Sequence, residues 1–123
     1  MICEEEKIMV RPLAFITASW NDNAYEAKEE AAKYSRQIYD AGFSPICPKL
    51  IYNDFLKDSV PQEYKDKCDM ALELLRRCRL VVVCGSETDE QVKTDIAMAK
   101  RYHIVTTTLE GIMTIEGKCK KKE

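Results

Sequence analysis

The stretch Leu80-Val81-Val82-Val83-Cys84-Gly85-Ser86 decides the fold of this 123-residue chain. Five consecutive apolar residues between polar flanks are typical of a strand that is covered on both faces, as in a parallel sheet. A similar apolar run spans residues 12–18, and residues 104–109 predict the last strand. Residues 43–47 form a shorter run in which Pro45 favours an edge position. The sequence therefore predicts four strands.

Segments with helical periodicity separate these strands. In the first, small and apolar residues recur at spacings of three and four before Gly42, and these are Ala27, Ala31, Tyr34, Ile38 and Ala41. The second begins after Ser59, which stands three residues before Gln62 and predicts a capping box with Pro61 in the first turn. Residues 89–101 predict the third helix.

The chain therefore alternates strand and helix from end to end. Alternation of this kind builds a parallel sheet with right-handed crossovers and helices on both faces. We expect an α/β fold with a three-layer, doubly wound (Rossmann- or flavodoxin-like) parallel sheet of four to five strands. No linker or repeat divides the chain, so residues 1–123 are predicted to form one domain with its core in 12–109. Residues 110–117 are a candidate short edge element.

Composition narrows the class of partner. The formal net charge is −2, which gives no general attraction to nucleic acid, and no apolar run approaches the length needed to span a bilayer. The six cysteines lack a Cys-x-x-Cys pair and there is a single histidine, which favours buried free thiols over disulfides or a zinc site. We expect a cytoplasmic protein with no metal, no cofactor, and no nucleic-acid or membrane partner.

The predicted architecture locates a binding site. Ligands of open parallel sheets bind beyond the carboxyl ends of the strands. Those ends are Thr17-Ala18-Ser19-Trp20 and Gly85-Ser86, and we predict these residues as the ligand-binding ones. No G-x-G-x-x-G or P-loop pattern occurs, so a dinucleotide or nucleoside triphosphate site is not expected. Trp20 either stacks on a ligand or closes the rim of the sheet, and the pattern does not separate the two.

Two aspartates, Asp89 and Asp95, flank the start of the third predicted helix. A carboxylate pair near a strand end is what glycosyl transfer uses, one group acting on the anomeric carbon and the other managing protons. The alternative is that Asp89 caps the helix and Asp95 lies on its early turns, where negative charge is favourable. Periodicity alone favours this second interpretation.

Four stretches together resemble the nucleoside 2-deoxyribosyltransferase-like superfamily, and within it a small bacterial and phage-borne branch of unknown function. The stretches are residues 13–20, 41–50 with Tyr52 and 55–56, 71–83, and 95–100 ahead of Ile104. The resemblance implies the same fold and cleavage or exchange of the N-glycosidic bond of 2′-deoxyribonucleosides or their monophosphates. It also implies a homodimer or higher homo-oligomer.

The resemblance also assigns roles to individual positions. Asp95 matches the catalytic glutamate of that superfamily and is one methylene shorter. Thr17-Ala18-Ser19-Trp20 replaces a Ser-Gly-Pro-Tyr-like turn, and Ala71 matches a supporting aspartate. We therefore expect a nucleoside- or nucleotide-binding protein with N-glycosidase or deoxyribosyltransferase activity through Asp95, with Asp89 as the second catalytic candidate. The alternative is a catalytically inactive nucleotide sensor or sequestering module on the same fold.

Overall fold

The computed structural model describes residues 10–19 and 23–113. Within them strands and helices alternate with one additional short helix, α2, and a helical turn at 109–113 follows the last strand. The elements in chain order are β1 (Leu13–Ala18), α1 (Ala24–Asp40), β2 (Ser44–Ile46), α2 (Pro48–Tyr52), α3 (Pro61–Arg76), β3 (Leu80–Cys84), α4 (Glu90–Arg101) and β4 (Val105–Thr108).

The four strands form one parallel sheet in the order β2-β1-β3-β4. This confirms the predicted doubly wound α/β fold and the edge position of β2. The first and third strands are neighbours, with Ala14 opposite Leu80 and Ala18 opposite Cys84. From β1 the chain crosses to β2 on one side, and from β3 it crosses to β4 on the other, so the connection direction reverses between β1 and β3.

Alternate residues of the central strands enter two hydrophobic cores on opposite faces of the sheet. On one face, Ile16 and Val82 pack with Ile38 of α1. On the other face, Phe15 and Val81 pack with Leu75 of α3, Ala99 of α4 and Cys78, which follows α3. This division explains why β1 and β3 read as continuous apolar runs, because both faces of each strand are covered.

The N-terminus of α1 is capped by a residue type that commonly caps helices, whereas the N-terminus of α3 is not capped as the sequence predicted. Asn23 caps α1 by accepting hydrogen bonds from the amides of Tyr25 and Glu26. The capping box predicted from Ser59 and Gln62 is wrong, because the N-cap of α3 is Val60, which makes no side-chain cap hydrogen bond. Gln62 instead donates to Asp66 one turn ahead, at 2.8 Å. Proline at the first helical position is confirmed.

The segment after β4 differs from the prediction of an edge element. Residues 109–113 form a helical turn, and residues 114–117 lie outside the described residues. In this turn Ile112 is buried in the same core as Ile38. No helix among the described residues is long and apolar enough to cross a membrane.

Candidate functional site

A cavity of about 210 Å³ opens at the carboxyl ends of β1 and β2. Its walls come from α1, α2, α3 and α4 as well as from the two strand ends. Residues that line it include Thr17, Ala18, Ser19, Tyr34, Lys49, Asp58, Tyr64, Lys67, Ala71, Gln91 and Asp95. The cavity therefore lies at the edge of the sheet where an open parallel sheet binds its ligands.

Asp95 is a nearly buried carboxylate in the wall of this cavity, with 4% of its surface exposed. The Thr17 hydroxyl at the end of β1 donates to its Oδ2 at 2.7 Å. The Gln91 amide, one turn earlier on α4, donates to its Oδ1 at 3.0 Å. These two hydrogen bonds fix the orientation of the carboxylate between β1 and α4.

Burial is the largest influence on the ionisation of Asp95, and it raises the pKa of the carboxyl group. Hydrogen bonds from Thr17 and Gln91 act in the opposite direction, as does the positive charge of Lys49. The charge of Asp89 adds to the increase. A carboxylate with a raised pKa on a cavity wall is a candidate for proton transfer or nucleophilic attack.

Lys49 brings a positive charge to the same strand end. It belongs to α2, and its ammonium group donates to the backbone carbonyl of Ala18 at 3.4 Å. Burial lowers the pKa of Lys49, while the charges of Asp89 and Asp95 raise it. The last two residues of β1 thus contact both charged groups, since Thr17 holds Asp95 and Ala18 holds Lys49.

A second charged cluster lines the cavity from the side of α3. Lys67 is 9% exposed, and its ammonium group donates to the side-chain oxygens of Asn53, at 3.1 Å, and Asp58. The ammonium also lies 5.7 Å from the centre of the Tyr64 ring. A buried lysine is stable only when its charge is paired, and here the residues between α2 and α3 supply the partners.

The structure brings together part of the predicted site. Thr17, Ala18, Ser19 and Asp95 all line the cavity. Gly85, Ser86 and Asp89, although described, are not among the lining residues. Trp20 lies outside the described residues.

Gly85 and Asp89 have local structural tasks. Gly85 adopts a φ of +83°, and a Cβ there would lie 3.2 Å from the Tyr34 hydroxyl oxygen, so glycine allows the turn and the close approach of Tyr34. Asp89 is the N-cap of α4 and accepts a hydrogen bond from the amide of Val92 at 2.9 Å. This is the capping arrangement that periodicity favoured.

Sequence reasoning missed Lys49, Lys67, Tyr64 and Gln91. Three of them carried a usable signal: Gln91 stands four residues before Asp95, and Tyr64 and Lys67 precede Ala71 by seven and four residues on one helix. The burial of Lys67 is not expected from its residue type, because lysine side chains are usually exposed. Nothing in the local pattern around Lys49 indicates that it reaches the end of β1.

Ala71 lines the cavity at the position where the resemblance implies a supporting aspartate. The two acidic neighbours of Ala71 on α3 point away from it. Asp69 is exposed and pairs with Lys65, and Glu73 is exposed and pairs with Arg77. Ala71 therefore contributes a methyl group to this part of the wall.

Within residues 10–19 and 23–113, no three histidine, cysteine, aspartate or glutamate side chains are arranged to hold a metal ion. The fold and the cavity define a doubly wound α/β protein with a recess at the carboxyl ends of its strands. A family described as a domain of unknown function, DUF7768, matches residues 12–109, and the chain belongs to that family. No curated protein matches the chain.

Proposed function

We propose that the cavity binds a nucleoside or nucleotide and that the Asp95 carboxylate acts on its anomeric carbon, as an N-glycosidase or deoxyribosyltransferase. The observation that carries the proposal is the placement of Asp95, which is nearly buried, lines the cavity and is oriented by Thr17 and Gln91. The sequence resemblance to nucleoside 2-deoxyribosyltransferases supports the same residue.

The size of the cavity supports a compact ligand. Its volume of about 210 Å³ is below the ~300–1,000 Å³ typical of sites for drug-sized ligands. A single nucleoside is closer to this volume than a dinucleotide. The lining combines apolar groups with a few polar side chains, which is the usual composition of a small-molecule site.

In the proposed reaction, an oxygen of the ionised Asp95 attacks the anomeric carbon and forms a carbon–oxygen bond. The bond between that carbon and the base nitrogen breaks, and the base leaves with the electron pair and takes a proton from solvent. Water, or a second base, then attacks the same carbon and breaks the ester to Asp95. The carboxylate is regenerated and the proton of the incoming group is released.

The second candidate is a nucleotide sensor or sequestering protein without turnover. The observation that favours it is Ala71, which lines the cavity where the resemblance implies a supporting carboxylate. Asp95 also favours the second candidate, because its side chain is shorter than the glutamate that the resemblance implies. A misplacement of about 1 Å in such a reaction costs roughly 100-fold in rate.

An assay of base release separates the two. Purified protein is incubated with each of the four 2′-deoxynucleosides and their 5′-monophosphates, and free base is measured by chromatography. We expect release by the wild type and a loss of about 100-fold or more in Asp95→Asn, which removes the nucleophile at nearly constant volume. Equal release by Asp95→Asn contradicts the assigned role of Asp95.

Asp89→Asn is the matched control. Asparagine caps a helix about as well as aspartate, so this variant removes a nearby carboxylate without weakening α4. We expect it to retain most of the activity. Binding of a nucleoside without any base release supports the sensor. The absence of both binding and base release at millimolar ligand refutes nucleoside recognition itself.

The proposal includes a cytoplasmic location and self-association. Free thiols at the buried Cys47, Cys78 and Cys84 suit a reducing compartment. Self-association is implied by the sequence resemblance. It is tested by measuring the molar mass of the purified protein by light scattering, and a monomer at micromolar concentration contradicts it.

A further inference from the structure

Lys67 and Asp58 present a hydrogen-bond donor and an acceptor side by side on the cavity wall. Two of the three N–H donors of the Lys67 ammonium go to Asn53 and Asp58. The third has no acceptor among the residues that the structure describes. Asp58 uses Oδ1 for this contact, and its Oδ2 accepts no hydrogen bond from any described residue. The Asp58 side chain is 60% exposed.

The cost of burying Lys67 makes this arrangement informative. A lysine that is 9% exposed has lost most of its hydration, and the pairing with Asp58 offsets that loss. Placement of the ammonium in the cavity wall therefore points to a ligand atom as the acceptor for its third N–H.

Tyr64 supplies a flat surface beside this pair. It lies one turn before Lys67 on α3, and its ring borders the cavity. Aromatic faces of this kind stack on nucleobases with little dependence on the base.

We propose that Lys67, Asp58 and Tyr64 form the subsite for the base of the nucleoside, with Lys67 and Asp58 reading its hydrogen-bonding edge and Tyr64 contacting its face. This inference rests on the proposed function and adds the orientation of the ligand. The base lies toward α3, and the sugar lies toward Asp95. Because the ion pair is neutral overall, the chemistry it recognises is an uncharged heterocycle with an N–H donor next to an acceptor.

The test compares nucleosides that differ by one donor group. Deoxyadenosine is compared with purine 2′-deoxyribonucleoside, and deoxycytidine with pyrimidin-2-one 2′-deoxyribonucleoside, since each analogue lacks only the exocyclic amino group. Affinity is measured by isothermal titration calorimetry, in the Asp95→Asn background if the wild type releases base. We expect the better-bound parent to bind roughly tenfold more tightly than its analogue.

Asp58→Asn converts the proposed reading position from an acceptor to a donor. The remaining amide oxygen still accepts from Lys67, so the connection between α2 and α3 keeps its anchor. We expect this variant to weaken the parent nucleoside about tenfold and the analogue less than about threefold, which reduces the discrimination to less than about threefold. Asp54→Asn removes an exposed carboxylate of the same connection, paired with Lys28, and we expect it to change neither affinity.

The outcomes separate this inference from the proposed function. Equal affinity of parent and analogue, or an equal loss of both in Asp58→Asn, refutes the base subsite while nucleoside binding stands. Failure of all four compounds to bind refutes the base subsite, and if deoxyguanosine and thymidine also fail to bind, nucleoside binding is refuted with it. Thermal unfolding of each variant is measured first, and a Tm within a few degrees of wild type shows that a change in affinity reflects the subsite.

Discussion

Asp95 is the side chain where stability and function oppose each other. Burial raises its pKa, so the folded chain holds the Asp95 proton more tightly than the unfolded chain does. The resulting contribution to stability is fully present below the ordinary pKa of 3.8 and is lost as the pH rises through the folded-state pKa. At neutral pH the protein therefore holds a charged group at a cost, as functional sites commonly do.

Asp95→Asn should consequently raise the free energy of unfolding at pH 7. The amide fits the site, because its nitrogen can donate to the Thr17 hydroxyl while its oxygen accepts from Gln91. We expect the advantage of the variant to shrink as the pH falls through the folded-state pKa of Asp95 toward 3.8. Urea denaturation across this pH range measures both effects. A less stable variant at pH 7 would mean that hydrogen bonding to the charged form outweighs burial.

Individual site residues were predictable where they lie at or near the end of a predicted strand. Thr17 is predictable because it lies at the end of a buried strand. Asp95 is predictable as one of two aspartates near the start of a helix, and the sequence resemblance assigns it the catalytic role. Their direct hydrogen bond was not predictable, since it joins residues 78 positions apart. The burial of Lys67 was not predictable for a different reason. It depends on contacts with Asn53 and Asp58, and the conformation of the connection between α2 and α3 brings these two residues to Lys67.

Two helices of this fold end in the same backbone motif with different residues. At the end of α1, Gly42 adopts a φ of +101° and the amide of Phe43 donates to Ile38. At the end of α4, His103 takes the equivalent position with a φ of +59°, and the amide of Ile104 donates to Ala99. Glycine adopts this left-handed conformation without strain, whereas histidine does so at a cost.

The two ends should respond oppositely to substitution. Gly42→Ala should lower the free energy of unfolding by about 1 kcal/mol, because nothing lies within 4 Å of the added Cβ and only backbone strain is introduced. His103→Gly should raise it by up to about 1 kcal/mol through relief of the same strain. Urea denaturation of both variants measures the changes. A change of the same sign in both would contradict the shared motif.

The elements themselves followed the sequence where the signal was local. Apolar runs predicted β1 and β3, and residue spacing predicted α1 and α4. The capping box predicted for α3 did not form. In the turn before this helix, the side chain of Glu63, and not that of Ser59, accepts a hydrogen bond from a backbone amide, that of Lys57. A capping box requires hydrogen bonds from two side chains to the backbone of the first turn. Here the side chain of Gln62 instead donates a hydrogen bond to Asp66.

Because the sheet separates two cores, substitutions on its two faces should change the free energy of unfolding independently. Ile38 and Leu75 are both fully buried and belong to opposite faces. Ile38→Val should cost about 0.5–1.5 kcal/mol and Leu75→Ala about 2–5 kcal/mol. The double variant should show the sum within about 0.5 kcal/mol.

The control for this prediction uses one face alone. Phe15 and Leu75 share a core, so Phe15→Leu combined with Leu75→Ala should depart from additivity. Denaturant unfolding of the single and double variants gives the coupling energy. A larger coupling across the sheet than within one face would show that the sheet transmits strain between the cores.

Apart from the short helix α2, the order of strands and helices and the doubly wound class followed from the chain alone, and so did the prediction that a site lies at the carboxyl ends of the strands. They depend on periodicities of two to four residues and on the chirality of crossover connections, which are local properties. The composition of the cavity required the folded molecule. Thr17, Lys49, Lys67 and Asp95 meet there because four separate elements pack around one strand end, and no local pattern encodes which side chains fill the space that this packing leaves.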